Sequence, residues 1–242
     1  MTTLTKIIVS TLLSLTLFSC NFDMNFNPGV RGNGNVQTDR RDVNGSFNAI
    51  KASSGLDVYL TQSNDESISV QADENLQDII MVEVEDNVLK IYADKNIGHA
   101  SAKKVMVSFK DISKITSTSG SDVYSTNTIK VDNLELKTTS GSDMEIEVHT
   151  NSLDVKSTSG SDLRLSGETD KLYAEATSGS DIKAGKLNAK SSNIKATSGA
   201  DVTVNTSYEL NARATSGGDI TYLGNPEKVS KSDGASGSIR RR

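Results

Sequence analysis

The sequence predicts an all-β fold, a single-chain β-solenoid whose coils of about 20 residues stack along one axis. Three observations indicate this fold. A short motif recurs six times, the copies lie 18 to 21 residues apart, and apolar and polar residues alternate on both sides of each copy. Tetratricopeptide, ankyrin and propeller repeats are longer than 18 to 21 residues. A period of about 20 residues matches one coil of a β-helix-like fold. We expect the coils to wind in the right-handed sense.

The recurring motif reads Thr-Ser-Gly-x-Asp followed by an apolar residue. Glycine readily adopts the positive φ that a sharp corner requires, and aspartate is common in turns. We therefore expect each copy to form a corner between two short strands, and equivalent residues of successive coils to stack in ladders about 4.8 Å apart. The predicted corner ladder consists of Gly120, Gly141, Gly160, Gly179, Gly199 and Gly217 together with Asp122, Asp143, Asp162, Asp181, Asp201 and Asp219.

Alternation beside the motif predicts which side chains face the core. The third, fifth and seventh residues before each Gly are apolar or small in most copies, as in Leu153, Val155 and Ser157, and the apolar residue after each Asp restarts the pattern. A period of two residues is typical of a strand with one buried face. By the same parity the Ser directly before each Gly belongs to the inward set, where its small side chain would let the corner close tightly.

Two outward columns follow from this alternation. The second residue before each Gly is always Thr. This row of hydroxyls either matches a repetitive ligand or reflects the high strand propensity of Thr, which is the interpretation we favour. The fourth residue before the Gly is most often basic, and we interpret this column as a solvated surface that blocks aggregation. Its members are Thr116, Lys137, Lys156, Glu175, Lys195 and Arg213.

The aspartates of the motif require an explanation, because carboxylates stacked about 5 Å apart repel one another. Asp57, in Ser54-Gly55-Leu56-Asp57, adds a seventh member. Each Asp could accept hydrogen bonds from the amides of its own turn, the ladder could hold a file of Ca²⁺ ions, or it could recognise a ligand. We favour turn capping, because each corner offers one Asp whereas Ca²⁺ takes six to eight oxygen ligands.

Composition argues against several classes of function. The chain of 242 residues has a formal net charge of −5, one Cys, two His and no Trp. Mild acidity gives no reason to expect binding to nucleic acid, because phosphates recruit dense positive patches. A single Cys rules out an intramolecular disulfide and a Cys-rich metal site, and two His residues leave little for His-based catalysis. We therefore predict no catalytic residue, no metal and no cofactor.

The first residues have the features of an export signal, which we predict over residues 1–19. Lys6 precedes an apolar stretch over residues 7–17, which is too short to span a bilayer. The stretch ends in Leu17-Phe18-Ser19-Cys20, which resembles the lipobox of bacterial lipoproteins, whose Cys is lipidated and becomes the mature N-terminus. The alternatives are an ordinary signal followed by a chance Cys, or a buried free thiol. With Cys20 lipidated, the protein would be exported and anchored in the cell envelope, at the outer membrane.

The remaining chain divides by composition and pattern. Residues 20–41 contain Pro, Gly and many Asn, and we expect them to form a flexible linker after the lipid. Residues 42–242 are expected to form one solenoid, with degenerate coils over 42–112, regular repeats over 113–224 and a C-terminal cap or tail over 225–242. The 65 residues from Asp57 to Asp122 amount to about three coils. Asp86-Asn87 predicts a hairpin turn, and residues 73–80 predict a short helix or a long corner. A separate small β-domain is the alternative for this region.

The segment before the repeats carries a family resemblance. It contains Gly45-Ser46-Phe47, then Gly55-Leu56-Asp57-Val58-Tyr59, and then Val84-Glu85-Asp86-Asn87-Val88. With the Ser-Gly-Ser-Asp repeats and the ending Tyr222-Leu223-Gly224-Asn225-Pro226, this succession resembles the putative auto-transporter adhesin, head GIN domain family, a domain-of-unknown-function family common in Bacteroidetes. The resemblance covers residues 42–239, implies a β-solenoid-like fold, and brings no established catalytic residues.

Together these observations predict a cell-envelope lipoprotein that acts as a non-catalytic binding module, adhesin-like or scaffolding. Its expected partners are the membrane, through the lipid anchor, and a polysaccharide or a surface protein. Two alternatives stay open: a polysaccharide-active enzyme of the β-helix type, and a structural spacer stabilised by Ca²⁺. The uniform file of aspartates argues against the enzyme, which needs clustered carboxylates with basic or aromatic groups in a groove.

Overall fold

The structure is a computed structural model that describes residues 28–42, 45–234 and 236–242. Within these ranges the chain forms seventeen strands, all in one sheet, and one 3₁₀ helix. The sheet winds into a β-solenoid of about seven turns, which confirms the predicted fold class. The predicted signal peptide and Cys20 lie outside the described residues. In the part of the chain that is described, no helix has the length and apolar character needed to cross a membrane.

The strands are β1 (Val36–Arg40), β2 (Ala49–Ala52), β3 (Asp57–Gln62), β4 (Ser67–Asp73), β5 (Ile80–Glu85), β6 (Val88–Ala93), β7 (Lys103–Phe109), β8 (Lys114–Ser117), β9 (Asp122–Ser125), β10 (Ile129–Thr139), β11 (Asp143–Thr158), β12 (Asp162–Thr177), β13 (Asp181–Thr197), β14 (Asp201–Thr215), β15 (Asp219–Leu223), β16 (Lys228–Asp233) and β17 (Ser238–Arg241). The 3₁₀ helix covers Glu74–Ile79, between β4 and β5. A short helix is thus confirmed for this segment.

The regular coils are formed by β11, β12, β13 and β14, each of which runs from the Asp of one motif to the Thr of the next. These strands pair in parallel and keep the motifs in register. Asp143 lies beside Asp162, and Asp162 lies beside Asp181. Like residues therefore stack on like residues along the axis.

Burial along β11 shows how the sequence bends around a coil. Met144, Ile146 and Val148 are buried and alternate with exposed residues. After buried Thr150 the inward positions change from even to odd numbers, because the next buried residue is Leu153. This change of phase marks a second corner. Each coil therefore has an Asp side, residues 143–150 in β11, and a Thr side, residues 152–158, which enclose one apolar core.

Our expectation of degenerate coils over 42–112 fits only part of this region: β2 with β3, and β6 with β7, stack in parallel on the regular coils. β3 pairs in parallel with β9, which places Asp57 directly beside Asp122. β2 likewise pairs with β8 on one side and β6 on the other. The 65 residues between the two aspartates are therefore not three coils: the chain leaves the stack after β3 and returns to it on the far side of β2 and β3.

The excursion caps this end of the solenoid. β4 runs antiparallel to β7, and β1 runs antiparallel to β4. β5 and β6 form a hairpin, and its turn residues Asp86 and Asn87 have φ of 52° and 61°, so the predicted hairpin turn is confirmed. β1 lies within the segment that we expected to be a flexible linker. That expectation is wrong for Val36–Arg40, because the strand pairs with β4 and covers an otherwise open edge.

At the other end the chain continues to wind. β16 pairs in parallel with β14, and β17 pairs in parallel with β15. Lys228–Asp233 and Ser238–Arg241, expected within a cap or tail, thus form strands of a last coil on the stack.

Candidate functional site

Each motif forms a corner from two successive residues in the left-handed conformation. Ser159 and Gly160 have φ of 58° and 67°, and the other five copies show the same pair of conformations. Two such residues reverse the inward and outward phase of the strand. Ser159 is therefore exposed, and Ser161, which follows the Gly, is buried. Our expectation that the Ser before the Gly points inward is wrong for this reason.

The buried Ser caps the corner. The amide of Thr158 donates to Ser161 Oγ at 3.2 Å, and Ser161 Oγ donates to the carbonyl oxygen of Thr158 at 2.8 Å. Ser142 and Ser180 accept the corresponding Thr amides at 3.2 and 3.1 Å. The amides that we expected the aspartates to bind thus have other partners: the Thr amide donates to serine, and the Gly160 and Asp162 amides donate to the carbonyl oxygens of Ser178 and Ser142.

The aspartates point outward on the Asp side and are balanced mainly by cations. Asp162 accepts hydrogen bonds from Arg164 Nη2 at 3.1 Å and from Lys183 Nζ at 3.0 Å. Lys183 also lies 3.2 Å from Asp181, and Arg240 lies 3.3 Å from Asp219. Arg164 and Lys183 stand two positions after the Asp of their own coil, and Arg240 stands two positions after Ser238, which takes the Asp position in the last coil. Their side chains therefore reach the carboxylates on the same face.

Where such a cation is missing, the carboxylates repel each other. Burial and the neighbouring carboxylates of Asp143 and Asp57 raise the pKa of Asp122. Burial and the carboxylates of Asp181 and Asp219 likewise raise the pKa of Asp201. Within the described ranges, no three His, Cys, Asp or Glu side chains are grouped so that they could hold a metal ion.

A file of cations runs along the Thr side, around the corner from the aspartates. We call it the cationic stripe and define it as Lys90, Lys51, Lys137, Lys156, Lys195 and Arg213. Three of its register pairs place like charges directly side by side: Lys51 with Lys90, Lys137 with Lys156, and Lys195 with Arg213. Glu175 interrupts the file and pairs with Lys195 at 2.6 Å. Thr116 occupies the position between Lys51 and Lys137.

Two further features share this face. The Thr residues of the motifs stack in register beside the stripe, and Thr215 Oγ1 donates to Thr197 Oγ1 at 3.1 Å. Tyr173, two residues before Glu175 in β12, is 46% exposed. The other aromatic residues of the described ranges are buried or partly buried. Cations, hydroxyls and an exposed ring are therefore arranged on one side of the coils.

Two open clefts lie at the second corner. Their volumes are about 640 and 470 Å³, and both are lined by His149, Thr150 and Asn151. His149 Nδ1 lies 3.6 Å from Glu168, and both side chains are largely exposed. The sequence pattern gave no reason to expect a cleft here, because the strands run through this corner without a loop.

One structurally important residue was missed in the sequence. Asp73 is fully buried and accepts hydrogen bonds from the amides of Gly34 at 2.9 Å, Ala102 at 3.0 Å and Ser101 at 3.1 Å. Burial alone would raise the pKa of Asp73, but these three amides outweigh it, so the pKa is lowered. A Cβ on Gly32 would overlap the Asp73 carboxylate, so a glycine is required there. The carboxylate thus fastens the segment before β1 to the cap.

Comparison with known proteins identifies relatives of this architecture. The family model described as putative auto-transporter adhesin, head GIN domain, matches residues 46–226. A putative adhesin from Bacteroides fragilis has a TM-score of 0.81 at 24% identity, over 88% of this chain and 100% of that one. A putative lipid binding protein from Parabacteroides distasonis gives 0.73 at 22%, over 88% and 99%, and a putative adhesin from Parabacteroides merdae gives 0.71 at 20%, over 88% and 98%. At these identities the likeness establishes the fold. No curated protein sequence matches the chain.

Proposed function

Because the chain belongs to the putative auto-transporter adhesin, head GIN domain family, we propose that it is a non-catalytic binding module exposed at the bacterial cell envelope. The observation that carries the proposal is the register of the coils. Outward residues repeat as columns of like groups, such as the Thr row from Thr139 to Thr215, on a frame whose inward residues are buried. A rigid periodic surface binds a periodic ligand with little loss of conformational entropy in the protein.

Binding by the full chain tests this function directly. The protein is immobilised and exposed to neutral and acidic polysaccharides, to vesicles with and without anionic lipid, and to envelope proteins. Vesicles belong in the panel because one similar structure is that of a putative lipid binding protein. We expect saturable binding to at least one class of ligand and no change in the size of a bound polysaccharide. Cleavage of the polysaccharide would replace the proposal with an enzyme, and no binding to any class would refute it.

The membrane anchor is a separate part of the proposal. It is supported by an apolar stretch over residues 7–17 that leads to Cys20, the single Cys of the chain. The anchor acts through acyl chains, each of which contributes about 0.8 kcal/mol per buried methylene. Cys20→Ala should move the protein from the membrane fraction to the soluble fraction. Ser19→Ala keeps a small residue before the Cys and should leave the protein with the membrane. Membrane retention of the Cys20→Ala variant would show that another feature anchors the chain.

A further inference from the structure

We propose that the cationic stripe is the binding surface for a linear acidic polysaccharide, an inference that rests on the proposed binding function and specifies its ligand. The polymer would lie along the solenoid axis, with its anionic groups over the stripe and its hydroxyls over the Thr row. From Lys90 to Arg213 the stripe spans eight successive register positions, two of which are filled by Thr116 and Glu175. At about 4.8 Å between strands it is about 34 Å long.

The stripe is a destabilising arrangement for the folded protein. Cations placed directly opposite each other on paired strands repel, as Lys137 and Lys156 do. On the Asp side the same chain offsets the repulsion of like charges with ion pairs. Along the stripe, in contrast, Lys137, Lys156 and Arg213 form no ion pair with a described residue. Lys90 pairs with Glu85, and Lys195 pairs with Glu175. For Lys137, Lys156 and Arg213, an external anion would supply the counter-charge that the fold does not provide through an ion pair.

The surroundings of the stripe favour a sugar polymer over a lipid surface. The adjacent Thr row offers hydroxyl donors and acceptors at the same interval as the cations. Tyr173 presents an exposed ring whose apolar face fits the C–H groups of a sugar ring. Val36 and Val229, the other large hydrophobic residues that the described chain exposes, lie in the terminal strands β1 and β16. The stripe therefore lacks a group of apolar side chains that could enter a bilayer.

The Asp ladder restricts where a polyanion can bind. Its seven carboxylates stack on the opposite side of the Gly corner, from Asp57 to Asp219. Their field repels a polyanion from the Asp side, and the formal charge of the whole chain, −5, gives no general attraction. Binding would therefore depend on a few residues of one face, which makes it sensitive to their replacement.

The test compares two variants of the full chain with the same change in charge. The stripe variant carries Lys137→Gln and Lys156→Gln. The control variant carries Lys186→Gln and Lys190→Gln, which replace exposed lysines outside the stripe. The probes are polygalacturonate, neutral dextran, phosphatidylglycerol vesicles and single-stranded DNA. We expect the affinity for polygalacturonate to fall about tenfold or more in the stripe variant and less than about twofold in the control, and to weaken as salt is raised. In the otherwise unchanged protein, Tyr173→Ala should also weaken the affinity for polygalacturonate, without changing its salt dependence.

A thermal melt accompanies the binding curves. Removing two mutually repelling cations should leave the melting temperature equal or slightly raised, so that a loss of affinity cannot be attributed to unfolding. Equal affinities of the two variants would overturn the inference. Binding to dextran alone would also overturn it, while the broader binding function would stand. Equal binding of vesicles or DNA would show a general polyanion surface and would overturn the assignment to polysaccharide. Failure to bind any probe would contradict the inference. The panel of polysaccharides, vesicles and envelope proteins would then show whether the broader binding function holds.

Discussion

Replacing Gly160 separates the two reasons for which a corner can require glycine. Gly160 has φ of 67°, and a Cβ placed on it would meet no atom within 4 Å. The structure therefore assigns the cost of a substitution to backbone conformation and none of it to collision. A residue with a Cβ costs about 1–2 kcal/mol in this region, Asn costs less because its side chain can bond locally, and a β-branched residue costs more.

The expected order of stability is therefore Gly, Asn, Ala and Val. We expect the free energy of unfolding to fall by about 0.5 kcal/mol for Gly160→Asn, about 1–2 kcal/mol for Gly160→Ala and about 2–3 kcal/mol for Gly160→Val. Urea unfolding of the full chain, followed by circular dichroism, measures the three differences. The slope of the unfolding free energy against urea concentration should stay the same in all variants, because unfolding exposes the same surface.

Gly218 is the matched control. Its φ lies outside the left-handed region, but a Cβ there would lie 2.5 Å from the backbone carbon of Ala196. Collision dominates at this position, so Asn should be at least as damaging as Ala, and the order seen at Gly160 should disappear. Equal losses for Asn and Ala at Gly160, or a Gly160→Val variant that unfolds like the original protein, would refute the conformational explanation.

Three further predictions concern charged groups. Folding raises the pKa of Asp122, so protonation at acid pH relieves the repulsion between this carboxylate and its neighbours. Asp122→Asn should therefore raise the melting temperature at pH 7. This gain should shrink as the pH falls through the raised pKa. Folding lowers the pKa of Asp73, so its contribution is complete above about pH 3.9 and is lost as the pH falls through the lower folded-state pKa. Asp73→Asn should therefore lower the melting temperature at pH 7, and this loss should shrink as the pH falls through the lowered pKa. Replacing Lys231 and Asp233 with Ala should produce end-to-end polymers, because the last coil would lose the charges that oppose stacking. Light scattering measures this, and particles no larger than those of the original protein would contradict the prediction.

The regular coils could be predicted from the sequence because one signal repeats in them. Alternation gives the buried face, and the glycine gives the corner. Which residues point inward after the corner could not be obtained by counting alternate positions along the sequence. The two consecutive left-handed residues, Ser and Gly, exchange the inward and outward positions. A usable signal was present nonetheless. The residue after each Gly is small in every copy, from Ser121 to Gly218, as a buried corner position requires.

The cap could not be predicted because sequence distance does not reveal a chain that leaves the stack and returns. The separation of Asp57 and Asp122 fits three coils as well as it fits an excursion. Asp73 shows the same limitation at the level of one residue. In the sequence it resembles an ordinary residue at the start of a helix, and its role depends on amides 28 to 39 positions away.

The two ends of the solenoid are closed by different means, and this fixes the length of any binding surface. At one end the antiparallel strands β1, β4 and β7 cover the stack. At the other end the last coil places charge where earlier coils have a core: Lys231 is in register with buried Ala212, and Asp233 with buried Ala214. Lys231 lies 4.6 Å from the centre of the Tyr222 ring and shields it. Another coil added there would bury these charges without partners, so this end of the stack disfavours further stacking. The stripe consequently has a defined number of cations, and its affinity should saturate once a ligand is longer than the solenoid.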